Sequence, residues 1–425
     1  MAAAIGIFAR GRKRAVRAFF GNFFRLLVVV ISLSQWVVLW WLLPGVVESL
    51  PVALQLGAPA LLYVINRQLV LRNRRRDRAA VGGMSRLYYA TAFTCLFCAL
   101  FLLLIGVLWI PAKIFIGAIA AQAWAVHTGL VVDSSVDLAF RWLGNAGLVV
   151  IGVTFAYGYS IGQRRLKIVR LTLPLCHASS ALNGLRIAQI SDIHVGQNLD
   201  RDELARFVAR VNQLEPDIVC ITGDIADSPS ADLDACLPLL AQLRAPRGVF
   251  AILGNHDHYA GADQVEAALR RLTSFTVLRD QQTSIDVNGQ RLHIVGLDDR
   301  GRDWARGVPH VPYLDRALAA IRRDEPVLLL CHRPDVFPQA AAGGVALTLS
   351  GHTHGGQLAV PWFKGRVRNL AEFITAFDRG LFEHAGSYLY VNCGLGVTAQ
   401  RIRLCTPREI TLIAVQAAAG SALAA

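Results

Sequence analysis

Five short stretches in the second half of the chain hold the side chains that could do chemistry: Ser191-Asp192-Ile193-His194, Gly223-Asp224, Gly254-Asn255-His256-Asp257, Cys331-His332-Arg333 and Gly351-His352-Thr353-His354. Asp192, His194, Asp224, Asn255, His332, His352 and His354 form a mixed oxygen and nitrogen set with no thiolate. Such a set suits Mn, Fe or Zn better than a soft-ligand structural site. Seven ligands are too many for one tetrahedral ion and about right for two ions sharing a carboxylate. A lone histidine after a strand, such as His332, is more often a packing or capping residue, so the reading rests on the five stretches jointly.

Each stretch follows an apolar run: Ile187 to Ile190, Ile218 to Thr222, Val249 to Leu253, Val327 to Leu330 and Ala346 to Leu349. Continuous apolar runs of this length read as buried parallel strands. The polar residues would then leave the carboxyl ends of successive strands, where open α/β sheets place their sites. Leu166 to Leu173 reads as an opening strand, and Arg201 to Gln213 as an amphipathic helix with Leu204, Phe207, Val208 and Val211 on one face. Asn288-Gly289 between two strand-like segments predicts a tight hairpin. Leu389 to Cys393 and Ile410 to Val415 read as late strands. This alternation implies a layered α/β arrangement.

The ordered motifs D-x-H, G-D, G-N-H-D, a lone His and G-H-x-H resemble the calcineurin-like metallophosphoesterase superfamily. Gly351-His352-Thr353-His354-Gly355-Gly356-Gln357, together with the preceding apolar region, is similar to a membrane-associated phosphodiesterase subgroup that includes hydrolases of UDP-2,3-diacylglucosamine. The resemblance covers roughly residues 166 to 415. It implies a two-sheet sandwich flanked by helices. It also implies two divalent metal ions, Mn favoured over Fe or Zn, one held by Asp192, His194 and His354, the other by Asn255, His332 and His352, with Asp224 bridging. His256 would protonate the leaving oxygen after attack by a metal-bridging hydroxide, and Asp257 would accept its other N–H and orient it.

The first part of the chain has another character. With 54% hydrophobic and 17% charged residues, the chain is too apolar for an ordinary soluble protein. Residues 1 to 170 carry 19 Lys+Arg against 4 Asp+Glu, and the remainder 24 against 26. The basic residues cluster beside apolar runs, so they read as topology-setting flanks of membrane helices and not as a nucleic-acid surface. Four spans are expected, at 26–43, 50–71, 88–110 and 143–161, with 111–142 interfacial or re-entrant. The second is imperfect because of Pro51, Pro59, Asn66 and Arg67. The expected organisation is a transmembrane helical region at 1–165, a metallophosphoesterase domain at 166–415 and a tail at 416–425. The Arg164-Arg165 cluster then falls on the cytoplasmic side of the inner membrane, together with the catalytic domain.

The sequence thus points to a membrane-anchored phosphohydrolase acting on a phosphodiester or pyrophosphate, such as a lipid-linked or nucleotide-linked envelope precursor. The alternative is a non-catalytic membrane sensor or scaffold that binds a phosphorylated ligand. The expected partners are a phosphorylated small-molecule or lipid substrate and the membrane, with no nucleic acid and no obligate protein partner. Arg401 and Arg403 lie where a loop could bring a guanidinium to the substrate phosphate. Trp362, Phe363, Lys364, Arg366 and Arg368 form a basic, aromatic stretch suited to a headgroup layer.

Overall fold

A computed structural model describes residues 25–75, 83–122, 126–196, 199–229, 231–299, 311–363 and 366–417. The chain divides into two compact units, one up to Ala156 and one from Tyr157.

Three helices in the described residues are long and apolar enough to cross a bilayer: Arg25–Leu42, Gly83–Ile119 and Ser135–Arg164. Leu103, Leu104, Val107 and Leu108 all lie exposed on the second, and a helix that is apolar all round is one that lipid can solvate. The helix Val52–Arg75 also forms, and the polar residue that spoils its hydropathy is partnered. Asn66 is buried, donates to Ser32 Oγ at 2.9 Å and Gln35 Oε1 at 2.8 Å, and accepts from the Tyr88 hydroxyl at 2.8 Å. In an apolar surrounding, such closed hydrogen bonding is what makes an amide tolerable. Residues 111–142, expected to be interfacial or re-entrant, are helical where they are described. One helix runs from Gly83 through Pro111 to Gln122, and the next begins at Val126. The residues around Pro111 are good enough helix formers to carry the backbone past one missing N–H.

The second unit is built from two six-stranded sheets. The chain lays down β1 (Leu166–Leu175), β2 (Arg186–Ile190), β3 (Ile218–Thr222), β4 (Val249–Ile252) and β5 (Thr276–Val277) in the first, then β6 (Gln281–Val287), β7 (Gln290–Gly296), β8 (Val327–Leu330) and β9 (Leu347–Ser350) in the second. After a two-stranded ribbon, β10 (Ala359–Pro361) and β11 (Val367–Asn369), it completes the second sheet with β12 (Gly380–His384) and β13 (Ser387–Val391) and returns to the first with β14 (Arg408–Ala417). The strand orders are β1-β14-β2-β3-β4-β5 and β12-β13-β9-β8-β7-β6. The β2-β3-β4 and β7-β8-β9 neighbours are parallel. Asn288 and Gly289, at φ +53° and +87°, turn the β6-β7 hairpin as the sequence predicts, because a two-residue loop of that hand needs positive φ twice.

The continuous apolar runs resolve into two faces. In β3, Ile218 and Cys220 point between the sheets and Val219 and Ile221 toward the helices Arg201–Asn212, Leu233–Leu240 and Ala262–Leu272. In β8, Leu328 and Leu330 enter the inter-sheet core, whereas Val327 and Leu329 meet the helix Pro312–Ala319. Burial on both faces, worth roughly 1.5 to 3 kcal/mol per large side chain, is why alternation is not visible in these strands. The result is helix, sheet, sheet, helix, with the carboxyl ends of β2, β3, β4, β8 and β9 brought to one edge.

Candidate metal centre

The loops leaving these strands are tied to one another before they present any side chain. Asp192 N donates to Gly223 O at 3.0 Å, His194 N to Asp224 O at 3.0 Å, Gly351 N to His332 O at 3.0 Å and Leu395 N to Ser191 O at 2.9 Å. This bracing holds an unusual backbone. Asp192, His194, Asp224, His352 and His354 all have left-handed φ, between +48° and +71°, a conformation that costs a non-glycine residue on the order of 1 kcal/mol or more. Five of the seven candidate ligands are therefore held in a strained backbone, and strain of this kind is kept where a side chain must be aimed. The neighbouring glycines make room. A Cβ on Gly254 would lie 2.2 Å from Asp224 Oδ1, and one on Gly351 would lie 1.9 Å from Ser191 Oγ and 2.2 Å from Asp192 Oδ2.

Among the described residues, three groups of side chains offer one ligand atom each within 4.8 Å of one another. One, His194, Asp227 and His256, shares His194 with the next; the other two are Asp192, His194 and His354, and Asp224, His332 and His352. Between the groups, His194 Nε2 stands 3.7 Å and His332 Nε2 3.2 Å from the same Asp224 oxygen, Oδ2. His194 Nε2 is 3.0 Å from His354 Nε2, and His354 Nε2 is 3.4 Å from Asp192 Oδ1. Atoms about 2.1 Å from a common ion stand roughly 3.0 to 3.5 Å apart at octahedral to tetrahedral angles, so most of these spacings suit shared cations.

The orientation of the His332 ring sharpens the fit. Its Nδ1 lies 2.7 Å from the carbonyl oxygen of Thr222, which can only accept, so Nδ1 carries a proton and Nε2 is the atom that faces the Asp224 carboxylate at 3.2 Å. Without metal a second proton on Nε2 makes the ring an imidazolium beside Asp224, and a divalent cation would take that proton's place. The buried Oδ1 of Asn255 has no hydrogen-bond partner. The residues present therefore fit divalent cations.

The titration behaviour agrees. Burial alone would lower the pKa of His332, yet the charge of Asp224, its hydrogen bond to the ring and the charge of Asp192 push it up to about 10, so the metal-free ring is protonated at neutral pH and would give up that proton to bind a cation. Burial likewise acts to raise Asp224, but His332, His194 and His256 hold it well below the usual carboxylate range. Asp192 is raised by burial and by the charge of Asp224. His352 and His354 are held well below 6.5, first by burial and then by His332 and Arg333 beside one and His194 and Arg403 beside the other. They are neutral imidazoles, the form that binds metal.

A profile of the calcineurin-like phosphoesterases matches residues 185–356. An uncharacterized metallophosphoesterase of Aquifex aeolicus is 34% identical over 236 residues, which are 55% of this chain and 85% of that protein. The chain belongs to the calcineurin-like metallophosphoesterases. The uncharacterized metallophosphoesterase YkuE of Bacillus subtilis is 29% identical over 274 residues, 64% of this chain and 93% of that protein. A transmembrane protein with metallophosphoesterase domain from Danio rerio is 30% identical over 279 residues, 64% of this chain and 62% of that protein. This metallophosphoesterase is thus a phosphoesterase hydrolase of a family that uses divalent metal ions.

Three residues named from the sequence of the metallophosphoesterase stand elsewhere than expected. Asp257 does not meet the imidazole of His256. Its carboxylate accepts the backbone N–H groups of Ile225 at 3.1 Å, Ala226 at 2.7 Å and Gly254 at 2.9 Å, and so clamps the Asp224 loop to the Asn255 loop. Both residues lie on the short helix Asn255–Ala260, where successive side chains diverge by about 100°. The partner of His256 is Asp227: Nδ1 lies 3.1 Å from its carbonyl oxygen and 3.7 Å from Oδ1. The same Oδ1 is 3.4 Å from His194 Nδ1. The signal for Asp227 was a second carboxylate three residues after Asp224.

Neither arginine reaches the space before the ligands. Arg403 is buried behind His354, with Nη2 directed at the carbonyls of Cys393, Gly394 and Gly396 at 2.6 to 3.1 Å and Nη1 at those of Thr406 and Pro407. Arg401 pairs with Asp200 at 3.2 Å and Glu203 at 3.1 Å. The guanidinium that does stand at the centre belongs to Arg333, bonded to Asp299 Oδ2 at 2.8 Å and 3.2 Å from His352 Nε2.

Proposed function

We propose that this protein is a membrane-anchored phosphohydrolase that cleaves a phosphodiester or pyrophosphate bond with two divalent cations. The observation that carries the reading is the pair of ligand groups, one with Asp192 and one with Asp224, joined by the approach of His194 Nε2 and His332 Nε2 to the same oxygen of Asp224 at 3.7 and 3.2 Å. Asp192, His194 and His354 would hold one cation, Asn255, His332 and His352 the other, and Asp224 both. Two bound cations supply a nucleophilic water at neutral pH and a clamp on the phosphate oxygens. The mixed oxygen and nitrogen set without thiolate suits Mn, Fe or Zn, and the family resemblance favours Mn.

The chain's own part is proton handling and positioning. His256 keeps Nδ1 on the Asp227 carbonyl, which leaves Nε2 to give its proton to the departing oxygen as the P–O bond breaks. Its side chain is 26% exposed, whereas His194 is sealed, so His256 can reach a bound ester. Arg333 is placed to meet an anionic oxygen. Asp257 fixes the loop that carries Asn255.

The substrate class that suits a bilayer-tethered site is a lipid-linked or nucleotide-linked envelope precursor. Basic clusters at Arg72 to Arg78 and Arg164 to Lys167 favour a cytoplasmic catalytic domain at the inner membrane; reporter fusions after Arg165 test that. The function itself is tested by hydrolysis of bis(p-nitrophenyl) phosphate with Mn, Fe or Zn added. The wild type is expected to turn over and Asp224→Asn to fail, whereas His256→Ala should lose more activity on an alkyl diester than on this ester. A wild type inert with every divalent ion would overturn the reading in favour of a non-catalytic ligand-binding protein.

A further inference from the structure

From Tyr157 onward, the described residues leave few large apolar side chains in the open. Tyr157, Ile161, Tyr259 and Leu381 stand singly, whereas Val360, Trp362, Phe363, Leu370, Phe373 and Ile374 fall within fifteen positions. Phe363, Phe373 and Ile374 are 79%, 88% and 85% exposed. A cluster of this density on a folded domain marks a contact surface.

The segment is not a loose loop. Its inner side is built into the domain: Phe377 packs edge-on against Phe337 and Phe382, Thr375 Oγ1 donates to Asp335 at 2.7 Å, and Arg379 donates to Val367 O at 2.8 Å. Asn369 is buried, caps the turn Leu370–Phe373 and donates to Asp378 Oδ2 at 2.7 Å. Such anchoring fixes which side chains face outward.

Charge selects the occupant. Residues 359 to 377 carry Lys364, Arg366 and Arg368 against Glu372 alone; Arg368 pairs with Glu372 at 2.5 Å, and Arg366 is exposed. Trp, Phe, Leu and Ile beside Arg is the composition of elements that lie at a headgroup boundary, and cationic side chains there are drawn to anionic lipid. The chain's own apolar helices supply a bilayer.

We propose that residues 359–363 and 366–377 form an interfacial element that rests on an anionic lipid surface, with Trp362, Phe363, Phe373 and Ile374 entering the boundary and Arg366 at the phosphates. The inference rests on the membrane-anchored hydrolase reading and names its substrate class. The element is rooted in the turn that carries two candidate ligands: Thr353, between His352 and His354, donates to Asp378 O at 2.5 Å, and a Cβ on Gly356 would lie 2.3 Å from Asn369 Oδ1. A site bolted to a lipid-facing ribbon takes an amphiphile whose phosphate stands at the bilayer surface.

The full chain in nanodiscs, with and without phosphatidylglycerol, tests this by nitroxide labels on Phe363→Cys, Phe373→Cys and, as a control, Glu383→Cys, in a Cys405→Ser background. Labels at 363 and 373 are expected to be relaxed by lipid-soluble oxygen more than by an aqueous nickel chelate, and the 383 label the reverse. Aqueous access at both test positions would overturn the proposal, and dipolar broadening between labels would overturn it in favour of a second copy of this chain. A kinetic arm needs no label. Phe373→Ser with Ile374→Ser is expected to raise KM for p-nitrophenyl hexadecyl phosphate roughly tenfold and to leave bis(p-nitrophenyl) phosphate turnover unchanged. Equal effects on both esters would contradict it. Failure of the wild type on the soluble ester would instead count against the hydrolase reading, which the label experiment does not require.

Discussion

Asp224 and Arg403 are both almost sealed from solvent, at 2% and 1% exposure, and their surroundings treat them in opposite ways. The guanidinium of Arg403 is wrapped by five backbone carbonyls. Beside it, Arg408 donates to the carbonyls of Gln163 and Leu395 and lies 3.3 Å from Glu203. Around Asp224, by contrast, histidine rings converge: His194 Nε2 and His332 Nε2 both approach Oδ2, and Oδ1 accepts the backbone N–H of His256 at 2.8 Å. A buried charge wrapped by backbone carbonyls is part of the scaffold, whereas buried carboxylates and imidazoles that converge on one point are the ligand types of a cation site. The arginine layer stands directly behind the metal centre, with Arg403 Nη2 3.4 Å from His354 Nδ1, so the two can be separated only by what their loss does.

Asp224→Asn should produce the largest change in activity, a fall of at least about 10³-fold, out of proportion to a lowered melting temperature in EDTA, because His332, His194 and His256 favour the ionised carboxylate in the folded chain. His256→Ala should cost about 10² to 10⁴-fold. The loss should be greater for an alkyl diester than for a p-nitrophenyl diester, whose leaving group needs no proton; a loss independent of the leaving group would remove His256 as the acid. Arg403→Met inverts the pattern. It strands the carbonyls and should cost about 3 to 5 kcal/mol of stability, read as a lower melting temperature, with activity falling only through His354. Arg401→Ala should be smallest. Its pair with Asp200 lies near the surface, where a pair is worth about 0 to 1 kcal/mol, the buried Glu203 keeps Arg408 as a partner at 3.3 Å, and KM should not move. A raised KM for Arg401→Ala would return that arginine to the substrate.

The chemistry was legible where it coincides with a strand end. Asp192, Asp224, Asn255, His332 and the His352-His354 pair each follow an apolar run, so the boundary between core and loop is also where the ligand types begin. What could not be read was direction. Asp257 follows His256 in sequence, but a helical turn sends the two side chains apart, and Asp227, on a different loop, takes the place beside the imidazole. Arg403 has the composition of a phosphate ligand, and only the folded chain shows its donors turned toward carbonyls. Likewise Asn66 lowers the hydropathy of its helix, although its amide is satisfied by Ser32, Gln35 and Tyr88.

Metal content is the most direct measurement of whether the convergent atoms around Asp224 are a binding site. Purified protein equilibrated with Mn and freed of excess should hold two ions per chain, Asp224→Asn no more than one, and Arg401→Ala two. A wild-type chain that retains none, or an Asp224→Asn chain that retains as many as the wild type, would contradict the shared-carboxylate centre.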